Sequence, residues 1–222
     1  MIDNLETILR HRLRLVRLLE NKLVASDCEL ECHVSSSVMD INLDEIHLHF
    51  AAMKLWLDDF FDTGLVYNPD TEMDTSWISL MENNVIMTPG DPMDHLMTAV
   101  IHSKLNAIGG NVVTVKRTQF FTDTSSGFSN AMTGSTDDWL PTMTEWMGMR
   151  HFHKNPWWHR ADASTIDLQP KPDDDLLKIP DIGINLVDML RSGSSDATVT
   201  DSKPAEIVKP KFKPRLVTPD DD

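Results

Sequence analysis

Apolar and polar positions change period several times along this chain, and each change marks an expected element. The clearest unit runs from Asp91 to Thr122, DPMDHLMTAVIHSKLNAIGG followed by NVVTVKRTQFFT. Met97, Val100, Ile101, Leu105 and Ile108 recur at three- and four-residue steps, which gives a helix one apolar face. Asp91 is placed to cap it, Pro92 to occupy the first helical position, and Asp94 to complement the positive end of the dipole. Gly109 and Gly110 supply a stop. The run VVTVKRTQFF is β-branched and aromatic and predicts a strand.

The flanking segments are read the same way. Leu5, Ile8, Leu9, Leu13, Val16, Leu19 and Leu23 predict a first helix over residues 3–24, with Asp3 and Glu6 as an acidic capping box. Arg10, Arg14 and Arg17 then fall on a neighbouring, solvated face. CELECHVS alternates strictly, so Cys28, Leu30, Cys32 and Val34 face inward on a half-buried strand. A second helix is expected over 43–62, capped by Asn42 and closed by Gly64. Trp77–Met81 suggests a short helix and Val85–Met87 a short strand. A turn at 122–127 and a return strand at Phe128–Thr133 make a hairpin with 111–122. Thr142 and Glu145 open a short helix through Arg150, and residues 163–168 read as a last strand.

Helices and strands are mixed without sustained βαβ alternation. The expected fold is α+β, a small, largely antiparallel sheet with helices packed on one face. Residues 1–168 form the single globular domain, and 169–192 a linker with a short amphipathic helix. Residues 193–222 have the proline, serine and charge content of a disordered tail.

Composition narrows the class. A net charge of −15 over 222 residues opposes long nucleic acids and anionic membranes. No run reaches the length of a membrane span and MIDNLETILRHRL is no secretory signal, so the expected location is cytoplasmic. Cys28 and Cys32 sit about 13 Å apart on a strand and cannot bond each other. They read as buried, reduced thiols.

Candidate chemistry gathers late in the chain. His151, His153 and His159 with Asp162 offer three imidazoles and a carboxylate, a donor set suited to zinc or a similar divalent ion. Trp157, Trp158 and Arg160 make a candidate platform for a partner or small ligand, since aromatic and arginine side chains are enriched at interface centres. Asp94, His95 and His102 on the central helix are weaker acid/base candidates. His47 and His49, two apart on a helix, point to different sides. Asp123-Thr124-Ser125 superficially resembles the active-site loop of aspartic proteases, but Ser125 stands where that family has glycine. No second copy supplies the partner carboxylate that this chemistry needs. The segment IVKPKFKPRLV in the tail alternates apolar and basic residues, a pattern for capture as an extended peptide.

The expected function is therefore a soluble intracellular binding or adaptor protein, without a cofactor, that recognises a protein partner or small ligand through the aromatic and histidine loop and the tail. The alternative is a metal-dependent hydrolase built on His151, His153, His159 and Asp162. A third is an acidic mimic of nucleic acid, weakened by the basic stretches at both ends of the chain.

Overall fold

Two sixteen-residue strands, rather than a helix, open the chain. The computed structural model describes residues 4–37, 42–71, 84–142, 145, 155–167 and 184–193. Strands β1 (Asn4–Leu19) and β2 (Lys22–Ser37) form one long antiparallel hairpin. This corrects the helix expected over residues 3–24. The leucines there fit helical spacing and strand alternation at once, and pairing with β2 decides between them. Leu13, Leu15 and Arg17 are buried while Arg10, Arg12 and Arg14 are exposed. Opposite those arginines stand Glu31, Glu29 and Asp27, at 2.8, 3.0 and 3.3 Å. Opposite charges facing each other across a ladder favour this register over its neighbours. Cys28, Leu30, Cys32 and Val34 face inward, as their alternation requires.

The hairpin turns on Glu20 and Asn21, both with positive φ, 49° and 62°. A two-residue turn of this kind matches the right-handed twist of the flanking strands. Asparagine tolerates the left-handed region, whereas glutamate adopts it at a cost. Glu20→Asn is therefore expected to stabilise the fold by roughly 1 kcal/mol, read as a higher urea midpoint at unchanged slope. A lower midpoint would contradict the strain assigned to Glu20.

Helix α1 (Leu43–Leu55) is capped by Asn42, whose side chain accepts from the Asp44 amide at 3.1 Å. It continues through a π-helical turn, Trp56–Phe61, that points Trp56, Leu57 and Phe61 into the core. Thr63, not Gly64, takes the left-handed geometry after it. Gly64 serves close approach instead: a Cβ there would collide with the Ile86 side chain and lie 2.9 Å from the Phe61 carbonyl oxygen. Gly64→Ala is expected to cost about 1–3 kcal/mol through overpacking. An unchanged thermal midpoint would show that Ile86 moves aside freely.

Strands β3 (Leu65–Tyr67) and β4 (Val85–Met87) add in parallel beside β1. Strands β5 (Val113–Thr122) and β6 (Ser129–Thr133) add antiparallel beside β2. The order of the six-stranded mixed sheet is β4-β3-β1-β2-β5-β6. The register of β2 and β5 shifts at His33/Val34, leaving Lys116 as an extra residue. That bulge lets Val113 and Val115 share the inner face with Thr118, Phe120 and Thr122. The fold is α+β, as the mixture of periods predicts.

Helix α2 (Asp94–Gly109) fills the inner face. Its cap is Met93, not Asp91, and Pro92 lies outside the helix. The Asp91 carboxylate accepts from the Asn68 side chain at 3.2 Å, and Asp94 is drawn sideways by Arg17. Residues 97–102 are buried without interruption, so this stretch of α2 is covered on every side. A short 3₁₀ turn, Trp157–His159, seals its far side. Residues 163–167 are not a further strand. They are held to the β4 edge by the Met87 amide, which donates to the Thr165 carbonyl at 2.9 Å, and by the Thr165 hydroxyl, which donates to the Val85 carbonyl at 2.7 Å.

Helix α3 (Leu186–Gly193) buries Leu186 and Val187 in the main core. Its Arg191 bonds Glu45 of α1 at 2.6 Å. Thr142 and Glu145 form the expected reciprocal cap: the Thr142 amide donates to the Glu145 carboxylate at 2.8 Å, and the Glu145 amide to the Thr142 hydroxyl at 3.3 Å. The expected helix at 77–81, the rest of the 142–150 helix and the tail beyond Gly193 lie outside the described residues. No helix among the described residues is long and apolar enough to cross a membrane.

Candidate functional site

The residues singled out from sequence in the 151–162 stretch have very different surroundings. Trp157 and Trp158 are both 0% exposed. Trp157 stacks on Trp56 at 6.2 Å, meets Trp158 edge-on at 5.7 Å, and its indole N–H donates to the Met87 carbonyl at 2.8 Å. Both rings are thus part of the core under α2, and neither presents a face to solvent. Arg160 is engaged as well: it donates to Asp167 at 2.7 Å and to the carbonyls of Asn155 and Ile166 at 3.2 and 3.3 Å. His159 is exposed, with its ring 6.2 Å from that of Trp158. His151 and His153 lie outside the described residues. Among the described residues no group of three or more His, Cys, Asp or Glu side chains is arranged to hold a metal ion.

Asp162 instead completes a buried ionic cluster that sequence reading missed. Lys104, on α2, is 0% exposed. Its ammonium donates to the Trp157 carbonyl at 3.1 Å and to Asp162 at 3.4 Å, and lies 5.7 and 5.8 Å from the ring centres of Trp56 and Trp157. Asp162 also receives the Ser164 hydroxyl and amide and pairs with Arg160 at 3.3 Å. Burial pushes the Lys104 ammonium down to about 7, against the pull of Asp162. Burial alone would raise Asp162, but Lys104, Ser164 and Arg160 outweigh it and hold the carboxyl below its ordinary range. A signal for this cluster was present: Lys104 is the only Lys, Arg, Asp or Glu between Asp94 and Lys116.

A second buried network lies at the N-terminal end of α2. Arg17, 2% exposed, donates to Asp94 at 2.5 Å, to the Pro92 carbonyl at 3.2 Å, to Ser26 at 3.1 Å and to Thr124 at 2.8 Å. The Thr122 hydroxyl donates to the other Asp94 oxygen at 2.8 Å. Asp94 is therefore a counterion. His95, exposed, lies with its ring 5.9 Å from that of Trp139.

His102 is buried in a third network. Its Nε2 reaches the Gly134 carbonyl at 3.1 Å, and Nδ1 lies 2.9 Å from the Thr118 hydroxyl, which in turn accepts from the Cys32 thiol at 3.7 Å. A neutral ring with its proton on Nε2 satisfies every partner. Burial holds the His102 pKa down and pushes both thiols up to about 12. His49 is buried with Nδ1 2.8 Å from the Ile108 carbonyl, while His47 faces solvent.

Open concavity lies on the opposite side of the sheet. The packed helices cover the inner face, and the twist of β1, β2 and β5 leaves a shallow cleft of about 660 Å³ on the outer one. Arg12 and Arg14 line it together with Asp27, Glu29, Asp62 and Asp123, with Phe121 beside them, and the Asp62 carboxylate accepts from the Arg14 amide at 2.7 Å. A second hollow of about 470 Å³ continues it past Arg10 and Glu31 and shares Arg12, Glu29 and Phe121. Glu31 is held below the usual carboxylate range by hydrogen bonds from Arg10 and His33. The cleft is assembled by register: Arg12 pairs with Glu29, and Glu29 with Phe121. The two hollows therefore offer an aromatic ring, three guanidinium groups and five carboxylates on one continuous surface.

No family model matches the chain, and no curated protein matches it. Among solved structures it is similar to an uncharacterized protein from Wolinella succinogenes, with a TM-score of 0.40 and 10% identity, over 60% of this chain and 99% of that one.

Proposed function

We propose that this is a binding or adaptor protein, and that it captures a basic, extended segment of a partner protein on the outer face of its sheet. The observation that carries this reading is the cleft beside Phe121. Four carboxylates stand there against two guanidinium groups; Arg12 pairs with Glu29 and Arg14 with Asp27, which leaves Asp62 and Asp123 as the excess. A cationic peptide meets an excess of negative charge and an aromatic ring for one apolar side chain, the combination that fixes orientation and selects against acidic competitors. The indoles of Trp157 and Trp158 are buried beneath α2 and do not compete with it as the site of contact.

Fluorescence anisotropy with the full chain tests the reading. Two labelled twelve-residue peptides are compared, each with one phenylalanine, one rich in lysine and the other in glutamate. The lysine peptide is expected to bind, to weaken with salt, and to lose about tenfold in affinity on Asp27→Lys, equivalent to about 1.4 kcal/mol. Equal binding of the glutamate peptide, or no effect of Asp27→Lys, would remove the outer face from consideration.

A further inference from the structure

The chain carries a segment of the chemistry this cleft would take. Residues 203–215, KPAEIVKPKFKPR, hold Lys203, Lys209, Lys211, Lys213 and Arg215 against the single acid Glu206, with Phe212 at the centre of the basic run. Resting on the reading above, we propose that this segment of the same chain occupies the outer cleft, so that an external partner must displace it. The contact is an intramolecular competitor built into the recognition surface.

Three observations support it. Charge is complementary: the cleft has four carboxylates, Asp27, Glu29, Asp62 and Asp123, against Arg12 and Arg14, and the segment an excess of cations. Shape chemistry agrees as well. Pro210 and Pro214 favour an extended, left-handed polyproline path, on which Lys209, Phe212 and Arg215 fall on one side at three-residue steps. That places one ring toward Phe121 with a cation on either flank. Finally, the geometry permits it. Helix α3 ends at Gly193 against α1 on the inner side. The sixteen residues from there to Lys209 span roughly 50 Å when extended, whereas six strands at about 4.8 Å spacing make a sheet roughly 24 Å wide. The chain can pass around the sheet edge.

The test uses the full chain, dilute, as an equal mixture of ¹⁴N- and ¹⁵N-labelled protein treated with a zero-length carbodiimide cross-linker. Amide links are expected between Lys209, Lys211 or Lys213 and Asp27, Glu29 or Asp123, in peptide pairs of a single isotope. Phe212→Ala with Arg215→Glu, which leaves every cross-linkable group in place, is expected to reduce those links at least threefold. Links that are absent, that fall equally on the acids of α1, or that survive the double substitution overturn the proposal. Pairs of mixed isotope overturn it too, because the occupant is then a second copy. The readout separates this contact from the proposed function. Lysine-peptide binding without these links rejects the internal competitor and keeps partner capture, and links without peptide binding do the reverse.

Discussion

Asp162→Ala is expected to destabilise the protein by about 3–5 kcal/mol, because it leaves the Lys104 ammonium buried with no counterion in contact. Lys104 is enclosed by α2 itself, the Trp56 and Trp157 rings and the Trp157 carbonyl, so it cannot reach water without opening the core. The same change removes the acceptor for the Ser164 amide and hydroxyl. A pH dependence accompanies it. Folding lowers the Lys104 pKa from 10.5 to about 7, so between those values the unfolded chain holds more protons than the folded one. Stability from this group therefore rises with pH across that window and is lowest below it. Without Asp162, which pulls the pKa upward, the rise should begin at lower pH. Lys104→Met in the Asp162→Ala background should restore most of the loss, since the uncompensated charge is then gone. Urea unfolding from pH 6 to 9 reads all three. A single variant as stable as the parent, with the parent's pH slope, would mean that Lys104 finds another partner or solvent.

Asp94→Ala is the second large effect. Arg17 is buried and its guanidinium is satisfied mainly by Asp94, with Ser26, Thr124 and the Pro92 carbonyl around it. Removing the carboxylate leaves the cation desolvated and frees the Thr122 hydroxyl, at a cost of about 3–5 kcal/mol. Asp91→Ala is the control. Sequence reasoning made Asp91 the cap, but it is exposed and bonds Asn68. Its loss should cost under about 1 kcal/mol, the low side of a missing cap. If the two aspartates cost the same, the helix start assigned to Met93 is in doubt.

The parts of the fold that could be read in advance are those where one period fits alone. β2 alternates strictly, α2 carries apolar residues at three-four spacing, and β5 is too β-branched to be helical. β1 was misread because Leu5, Leu9 and Leu13 satisfy both periods, and because Glu20–Asn21 lacks the glycine that usually marks a tight hairpin. The decisive pattern was longer in range. Arg10, Arg12 and Arg14 mirror Glu31, Glu29 and Asp27 about that turn, which only a strand pair explains. Trp157, Trp158 and Arg160 read from sequence as a contact platform, whereas both indoles are fully buried. That burial was not legible, because it depends on how the 157–159 turn packs against α2. The outer cleft was the least legible feature. Its lining comes from β1, β2, β5 and the turn before Gly64, brought together by register and sheet twist rather than by any local motif.

The most direct measurement of the central claim is a titration of the ¹⁵N-labelled full chain with the lysine-rich, phenylalanine-containing peptide, followed by amide chemical shifts. Binding at the outer face predicts that the largest changes map to Arg12, Arg14, Asp27, Glu29, Phe121 and Asp123, with little at Lys104 or Trp157 beneath the opposite face. Changes centred on Trp157, Trp158 and Arg160, or none at saturating peptide, would contradict it.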